Sequence, residues 1–596
     1  MANFLVAVDA DLERRESFIN LIQSELALVD GLVPGDFSYG EMRAVWAAES
    51  RAPVSQVADD AGAALLWGDA VGGEDSGRID ATTLRSMWGD SDRRDSTVLN
   101  GFFAGVVYQP EIGLIVGGDL LGVFPLYYYS GPDFLLVGSS PELFSRHPAF
   151  TSELNPAGLV GILLTMHCID GQTLLKSVKR LAAGHLLIKP PESQATEHLQ
   201  YRLPVSTKYF SLPFSAHVDM LDDLFNRQLG RQMPDKEEYS FLLSGGLDSR
   251  LLAGYLEKNN TKTVALTLGV PEDIEMQCAV GVARSLKFRH CGIDIPFSEY
   301  PEYAETQVKW EHLTNGFNNC MEWGLYPHLR KNGRRVVMGH MLDAVIGTRY
   351  INWAYSVETG CMSFDNFFTH ANSWGYSPDV LKKLLRREVF GELVDETVER
   401  LRSVYEGYSD LESQRAWCFN LHHRQRFHVG SSAWACSFGA WPVVPALDDG
   451  FLSWAGGMPA ATIAERRAQI ELLCERFPQL AALPLDRNSY HTRPLRPRLR
   501  YLLGQALRKP LSSFRRQTAD EKRFYVRVFD VNGSGWQSIR HQAEENREQL
   551  ESFFNMDILN QLLPGPAAPI HLKNEIIDSS GLKSLLGLML WSKRHL

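Results

Sequence analysis

From Tyr239 onward short apolar runs alternate with helical stretches: "YSFLLS", "LDSRLLAGYLEKN", "TVALTLG", "DIEMQCAVGVARSL", "FRHCGIDI" and, after a further helical segment, "RRVVMG". Strands separated by helices cannot pair as hairpins, so the pattern predicts a parallel sheet with helices on both faces. Ligands of such sheets sit beyond the C-terminal ends of the strands. The turn that follows the first strand is therefore the first place to look for chemistry.

That turn reads "LLSGGLDSR". The strand is expected to end near Leu243 and a helix to start near Leu247. Gly245 and Gly246 permit a tight turn and a close approach that bulky residues would block. Free N–H groups at the helix start, with the Ser244 and Ser249 hydroxyls, form a nest for an anion such as pyrophosphate. Asp248 repels an anion unless a cation bridges them, and Mg²⁺ takes carboxylate and phosphate oxygens together. The plain alternative is a Gly-rich turn with a capping Asp.

The rest of the chain sets bounds. Its 596 residues are enough for at least two domains, and 44% hydrophobic with 22% charged residues is ordinary for a globular protein. A net charge of −11 argues against a nucleic-acid binder, although a local basic patch remains open. The eight cysteines show no Cys-x-x-Cys pair or zinc spacing, so reduced, mostly buried thiols are expected. "MANFLVAVDADLERR" has no signal-peptide pattern, and no run approaches about 18 apolar residues, so a cytoplasmic protein without membrane contact is expected. Residues 1–205 read as short strands broken by Gly, Pro and Asp. A polar, Pro-bearing stretch at residues 187–209, with the linker placed near its end, divides a β-rich first domain, 1–205, from a second, 206–596, whose end from Thr348 reads as mostly helical.

The loop resembles the pyrophosphate loop of ATP pyrophosphatases and lacks the Gly-Lys-Ser/Thr of Walker-type loops. That likeness implies ATP and Mg²⁺, with cleavage between the α- and β-phosphates. "LNGFFAGVVYQPEIGLIVGGDLLGVFPLYYYSGPDFLLVGSSPEL", residues 99–143, resembles the end of the glutaminase domain of asparagine synthetases. A Gly-x-Phe strand, an Asp-x-x-Gly-x-x-Pro-Leu-Tyr-Tyr turn and a Ser-Ser-x-x-Glu-like strand end recur there. "TLLKSVKRLAAGHLLI", "VVMGHMLD" and "VVPALDDGF" extend the likeness over most of residues 99–455. The chain thus resembles the asparagine synthetase superfamily, which includes β-lactam synthetases and lasso-peptide cyclases. The implied architecture is an Ntn-hydrolase-like β sandwich, then an ATP-pyrophosphatase-type parallel-sheet α/β domain with a mostly helical C-terminal region.

By the same resemblance Gly339 and Asp343 match a Gly-x-x-x-Asp whose Asp is a second Mg²⁺ ligand facing Asp248. Leu242 and Leu268 fall on segments whose backbone cradles adenine. His340 stands where relatives have Glu or Tyr, and is read either as a base for the attacking amine or as a satisfied strand-end histidine. Three features depart from the family. Ala2 replaces the nucleophilic Cys that follows Met, so glutaminase chemistry should be absent. Residues 415–447 hold no Asp or Glu to orient His340; their helix instead carries His422, His423, Arg424, Arg426 and His428, facing either phosphates, an acidic substrate or solvent. The family's late Lys is missing near "PLDRNSYHTRPLRPR", with Arg487 its candidate substitute. Arg487 opens a stretch to Arg516 with nine basic and no acidic residues, read as a solvated face or a surface for an anionic partner.

These features imply an AMP- and pyrophosphate-forming amide synthetase that activates a carboxylate substrate. With the glutamine site gone, an intramolecular amide on a precursor peptide or natural product is the leading expectation, with a leader-peptide-binding or protease partner. Ammonia-dependent amidation of a small acid or sugar uronate is the runner-up. A nucleotide-binding pseudoenzyme scaffold is the reading from another class.

Overall fold

The structure is a computed structural model that describes residues 2–73, 77–234, 236–347, 363–487, 492–497, 523–574 and 576–596. Twelve strands build its first part: β1 (Ala2–Asp9), β2 (Val33–Tyr39), β3 (Met42–Ala48), β4 (Val54–Asp59), β5 (Gly62–Gly68), β6 (Phe103–Gln109), β7 (Gly113–Gly118), β8 (Tyr127–Ser130), β9 (Phe134–Gly138), β10 (Lys179–Arg180), β11 (His185–Lys189) and β12 (Thr196–Leu199). They form two antiparallel six-stranded sheets, ordered β10-β8-β9-β1-β3-β2 and β12-β11-β7-β6-β5-β4. The sheets face each other, as shown by Phe4 of β1 stacked on Trp67 of β5 with ring centroids 4.1 Å apart.

The outer faces are covered as well. The helix Leu12–Glu25 lies on β1 and β3, and the helix Ala81–Trp88 lies on β4, β5 and β6. Gly105 and Gly117 make room for the latter, since a Cβ at either would come within about 3 Å of the Leu84 or Trp88 side chain. Strands buried on both faces explain why β1 and β5 read as continuous apolar runs rather than as alternation.

The "DLLGVFPLYYY" turn has a structural cause. Asp119 is buried, and its carboxylate accepts the N–H groups of Leu121, Val123 and Phe124 at 3.2, 2.9 and 2.6 Å. Gly122 supplies the positive φ of +61° that the turn needs. This Asp therefore shapes backbone.

The last strand of the second sheet ends at Leu199, and the next helix opens at Phe214. Beyond it lies a five-stranded parallel sheet of β13 (Tyr239–Leu242), β14 (Thr263–Leu268), β15 (Arg289–Ile293), β16 (Arg335–Val337) and β17 (Trp441–Val443), in the order β15-β14-β13-β16-β17. The strand order reverses between β13 and β16, which opens a crevice at their C-terminal ends. β17 departs from the expectation of helix and irregular chain after Thr348. Three residues with a central Pro carry almost no strand signal, and only an edge position tolerates that Pro. The other described residues after β16 are mostly helical, closing with the helix Ser579–His595.

Polar contacts tie the two parts together. Asp69 holds Arg335 at the start of β16 at 2.6 and 3.0 Å, and the Trp441 indole N–H donates to the Phe102 carbonyl at 3.0 Å. The seven described cysteines are free, six of them buried; Cys361 lies outside the described residues. No described helix is long and apolar enough to cross a membrane.

Candidate active site

β13 ends at Leu242, and the loop 243–246 turns into the helix Leu247–Lys258. Gly245 has φ +74°, and a Cβ there would lie 2.6 Å from Cys278 Cβ and 2.7 Å from the Ala279 nitrogen. Gly246 is different: its φ of −73° suits any residue, and a Cβ would meet only Ser244 Oγ, at 3.3 Å. The first glycine is demanded by the fold, whereas the second keeps open space in front of the helix. No side chain caps that helix, so its first N–H groups face the crevice with the Ser244 and Ser249 hydroxyls, which lie 3.1 Å apart.

A buried cation underneath holds the loop. Arg250 donates to the carbonyls of Gly245, Leu480 and Leu483 at 2.9, 2.9 and 3.0 Å, and also to Pro484. Burial pulls its pKa down to about 10, which leaves it charged at neutral pH. Its interaction with the Gly245 carbonyl fixes the peptide plane of the turn.

Asp248 and Asp343 come together although 95 residues separate them in the chain. Met341, at φ +67°, bends the chain after β16 into the short helix Leu342–Val345 that carries Asp343. One guanidinium spans both carboxylates: Arg466 reaches Asp248 Oδ2 and Asp343 Oδ2, each at 3.1 Å. Gln469 donates to Asp248 Oδ1 at 2.5 Å. Burial raises the Asp248 pKa, Arg466 opposes it, and Asp343 adds to the rise. A positive group between two hard carboxylate donors, beside an uncapped helix start, is an arrangement that fits Mg²⁺. Asp248 and Asp343 are the residues that would hold it.

These groups line a cavity of about 310 Å³. Leu242 and Leu268, at the ends of adjacent strands, form one wall, and Gly339 and His340 form another. Arg487 stands exposed at the rim. Burial presses His340 down to about 4 against the pull of Asp343, so the imidazole is neutral at pH 7 and a poor proton acceptor, and its Nδ1 has no hydrogen-bond partner. Desolvation thus works against the role of base that was one of the two readings of this histidine.

The histidine- and arginine-bearing helix does not reach this cavity with those side chains. Leu421–Gln425 forms a π-helical turn, and Arg426 donates to the Gly122 and Leu181 carbonyls of the first part. His422 is hydrogen-bonded to Tyr408, and His428 to Asn319. Burial pushes both down to about 3, which makes them neutral, and His423, Arg424 and His428 line a separate cavity with Trp374 and Phe427. The basic stretch is described only at Arg487, Arg493 and Arg496; its other members lie outside the described residues, and so does the side chain of Ala2.

Arg466, Glu322, Glu275 and Asp486 of the cavity lining, and Gln469 behind Asp248, went unread in the sequence. Arg466 follows Glu465 in a pair of left-handed residues, φ +53° and +61°, between two short helices. Glu322 sits in a 3₁₀ turn, Cys320–Gly324, and lines the cavity beside Met321 and Ser432. Neither stands in a motif; the only sign was a lone acid in the apolar "NNCMEWGLY".

Comparison with known families bears on this site. A family profile described as "Glutamine amidotransferase domain" matches residues 77–201, and one described as "Asparagine synthase" matches residues 220–340. Together they support an ATP-using, amide-forming enzyme. No curated protein matches. Solved structures with partial likeness include glutamine phosphoribosylpyrophosphate amidotransferase from B. subtilis complexed with ADP and GMP. That match has 11% identity and a TM-score of 0.22, over 49% of this chain and 65% of that one, short of two thirds of its length. Another is titled as the allosteric regulatory enzyme of purine biosynthesis, at 10% identity and TM-score 0.24 over 49% and 80% of the two chains. NMN synthetase from Francisella tularensis matches at 16% identity and TM-score 0.19, over 37% of this chain and 96% of that one.

Proposed function

We propose that this asparagine-synthetase-like chain, an amidotransferase-type domain followed by an asparagine-synthase-type domain, adenylates a carboxylate with ATP and passes the acyl group to an amine, releasing pyrophosphate and AMP. One observation carries the proposal: the loop 244–249 and the pair Asp248 and Asp343 converge on a single cavity at the sheet's switch point. Ser244, Ser249 and the free N–H groups behind Gly245 and Gly246 bind the pyrophosphate portion. The backbone at Leu242 and Leu268 holds adenine. Mg²⁺, when bound by Asp248 and Asp343, neutralises phosphate charge. Arg466 keeps the two carboxylates together and offers a guanidinium to the departing pyrophosphate, while Arg487 supplies fixed charge at the rim.

Ala2 in place of the expected nucleophilic thiol is the basis for reading the first domain as having no glutaminase activity. With no glutamine-derived ammonia the amine comes with the substrate, so an intramolecular amide on a peptide or natural product, of the lasso or lactam type, is the favoured product. Precursor recognition by a partner protein belongs to the same reading. Ammonia-dependent amidation of a small acid is the alternative chemistry.

The test measures pyrophosphate and AMP release from ATP and Mg²⁺ over a panel of acids and peptides. The expected result is release of both with one substrate, lost in Asp248→Asn. Pyrophosphate release unchanged in Asp248→Asn overturns the proposal. The Arg466 bridge also favours a second reading, a nucleotide-binding scaffold locked by that guanidinium; tight ATP binding with no pyrophosphate from any acid in the panel supports it.

A further inference from the structure

We infer that Glu322 is the catalytic carboxylate of the amine half of the reaction: it binds the substrate's ammonium group in the cavity and takes its proton. This rests on the adenylation reading and adds to it the charge class of the nucleophile.

Five carboxylates line the cavity: Asp248, Glu275, Glu322, Asp343 and Asp486. Four of them face a guanidinium. Arg466 spans Asp248 and Asp343. Arg523 spans Glu275 and Asp486 at 3.0 and 2.8 Å. Glu322 is the exception among the described residues. Its Oε2 is buried without a hydrogen-bond partner. The titratable groups around it are Glu311 from the helix Tyr300–Glu311, Cys320 from its own turn, Cys436 from the helix Arg426–Ser437, and Tyr525 from the helix Phe524–Phe529. None is a cation. A buried carboxyl group with no cation beside it stays protonated, so the charged form of Glu322 needs a cation from outside.

The position suits an incoming amine. Glu322 and Ser432 border the same space as Ser244 and Ser249, the two serines placed at the phosphates. An ammonium is the ligand whose charge and donors complete a lone carboxylate, whereas a second carboxylate or a phosphate would be repelled. Burial, assisted by Glu311 and opposed by the Ser432 hydroxyl, pushes Glu322 up to about 8, near the range where proton exchange with an amine is efficient.

In the transfer step the Glu322 carboxylate accepts one proton from the ammonium, which frees the nitrogen lone pair. The lone pair forms the C–N bond at the acyl carbon of the adenylate while the C–O bond to phosphate breaks, and that electron pair leaves on AMP. The second nitrogen proton passes to water.

Two readouts separate this inference from the adenylation reading. In the first, n-butylammonium is titrated calorimetrically into the full chain at pH 7 in buffers of different ionisation enthalpy, with n-butanol as the neutral control. The expected result is saturable binding of the ammonium with release of close to one proton, because Glu322 ionises on pairing. Glu322→Gln should weaken binding at least tenfold and release none; Glu322→Asp should keep part of both. Equal binding to wild type and Glu322→Gln, or binding with no proton release, overturns the inference. In the second, with an acid that supports pyrophosphate exchange into ATP, Glu322→Gln should retain exchange within threefold and lose amide formation at least 100-fold. Trapping by hydroxylamine, unprotonated at neutral pH, should persist. Unchanged amide formation overturns the inference, while absence of exchange in wild type with every acid overturns the adenylation reading and leaves the ammonium titration to decide Glu322.

Discussion

Replacing the two adjacent glycines of the loop one at a time separates what the fold needs from what the ligand needs. In Gly245→Ala the new Cβ falls 2.6 Å from Cys278 Cβ and 2.7 Å from the Ala279 backbone nitrogen, and it must do so at φ +74°. The left-handed conformation costs an Ala about 1–2 kcal/mol, and overpacking against backbone that cannot swing aside costs about 1–3 kcal/mol, so about 2–5 kcal/mol is expected in all. Gly246→Ala meets only Ser244 Oγ at 3.3 Å and keeps an ordinary φ of −73°. Its stability should stay within about 0.5 kcal/mol of wild type. The methyl group it adds, however, stands in front of the uncapped helix start where pyrophosphate is proposed to lie. ATP affinity should fall at least tenfold, a loss of ~1.4 kcal/mol or more. Urea midpoints followed by tryptophan fluorescence, with nucleotide titrations on the same preparations, give both numbers. A Gly246→Ala protein that is stable and binds ATP as wild type does would refute the placement of the anion at this turn. A Gly245→Ala protein of wild-type stability would refute the packing argument.

Two further perturbations follow from buried charges. Arg250→Met leaves the carbonyls of Gly245, Leu480, Leu483 and Pro484 without their shared donor; the urea midpoint should drop by the equivalent of about 3 kcal/mol or more, and an unchanged midpoint would show that the tether is dispensable. Glu311, buried and pushed up to about 7 from 4.5, should make the wild type lose stability as pH rises. Between those two values the folded state holds a proton that the unfolded state has released, so the slope of unfolding free energy with pH is negative there, amounting to ~3 kcal/mol over the window. Glu311→Gln can turn its carbonyl oxygen to Asn315 and its amide N–H to the Ser431 oxygen while it removes the titration, so the variant should gain on wild type between pH 5 and pH 8; parallel pH profiles for the two proteins would disprove it.

Local chemistry makes part of this protein legible from its residues alone. The turn "SGGLDS" carries its own instructions, because a positive φ, an uncapped helix start and two hydroxyls lie within six consecutive residues. The parallel sheet is likewise readable from strand–helix alternation over residues 239–339, and its short edge strand at Trp441–Val443 is not, because three residues with a Pro give no period.

The partners of the loop were beyond the sequence. Arg466 meets Asp248 across 218 residues of chain, and Glu322 borders the same cavity from a turn that resembles no motif. His340 shows the same division: the sequence placed it after β16, but only burial decides that its imidazole is neutral. The histidines and arginines of the helix after Asn420 could be read as exposed until packing put Arg426 onto the first part's carbonyls. Backbone conformation and helix starts depend on neighbours in sequence, so a single chain read by itself determined the turn, the sheet type and the uncapped helix start. Charge pairing and desolvation depend on neighbours in space, so which carboxylates share a cation, and which one waits for a partner, was decided by the tertiary structure alone.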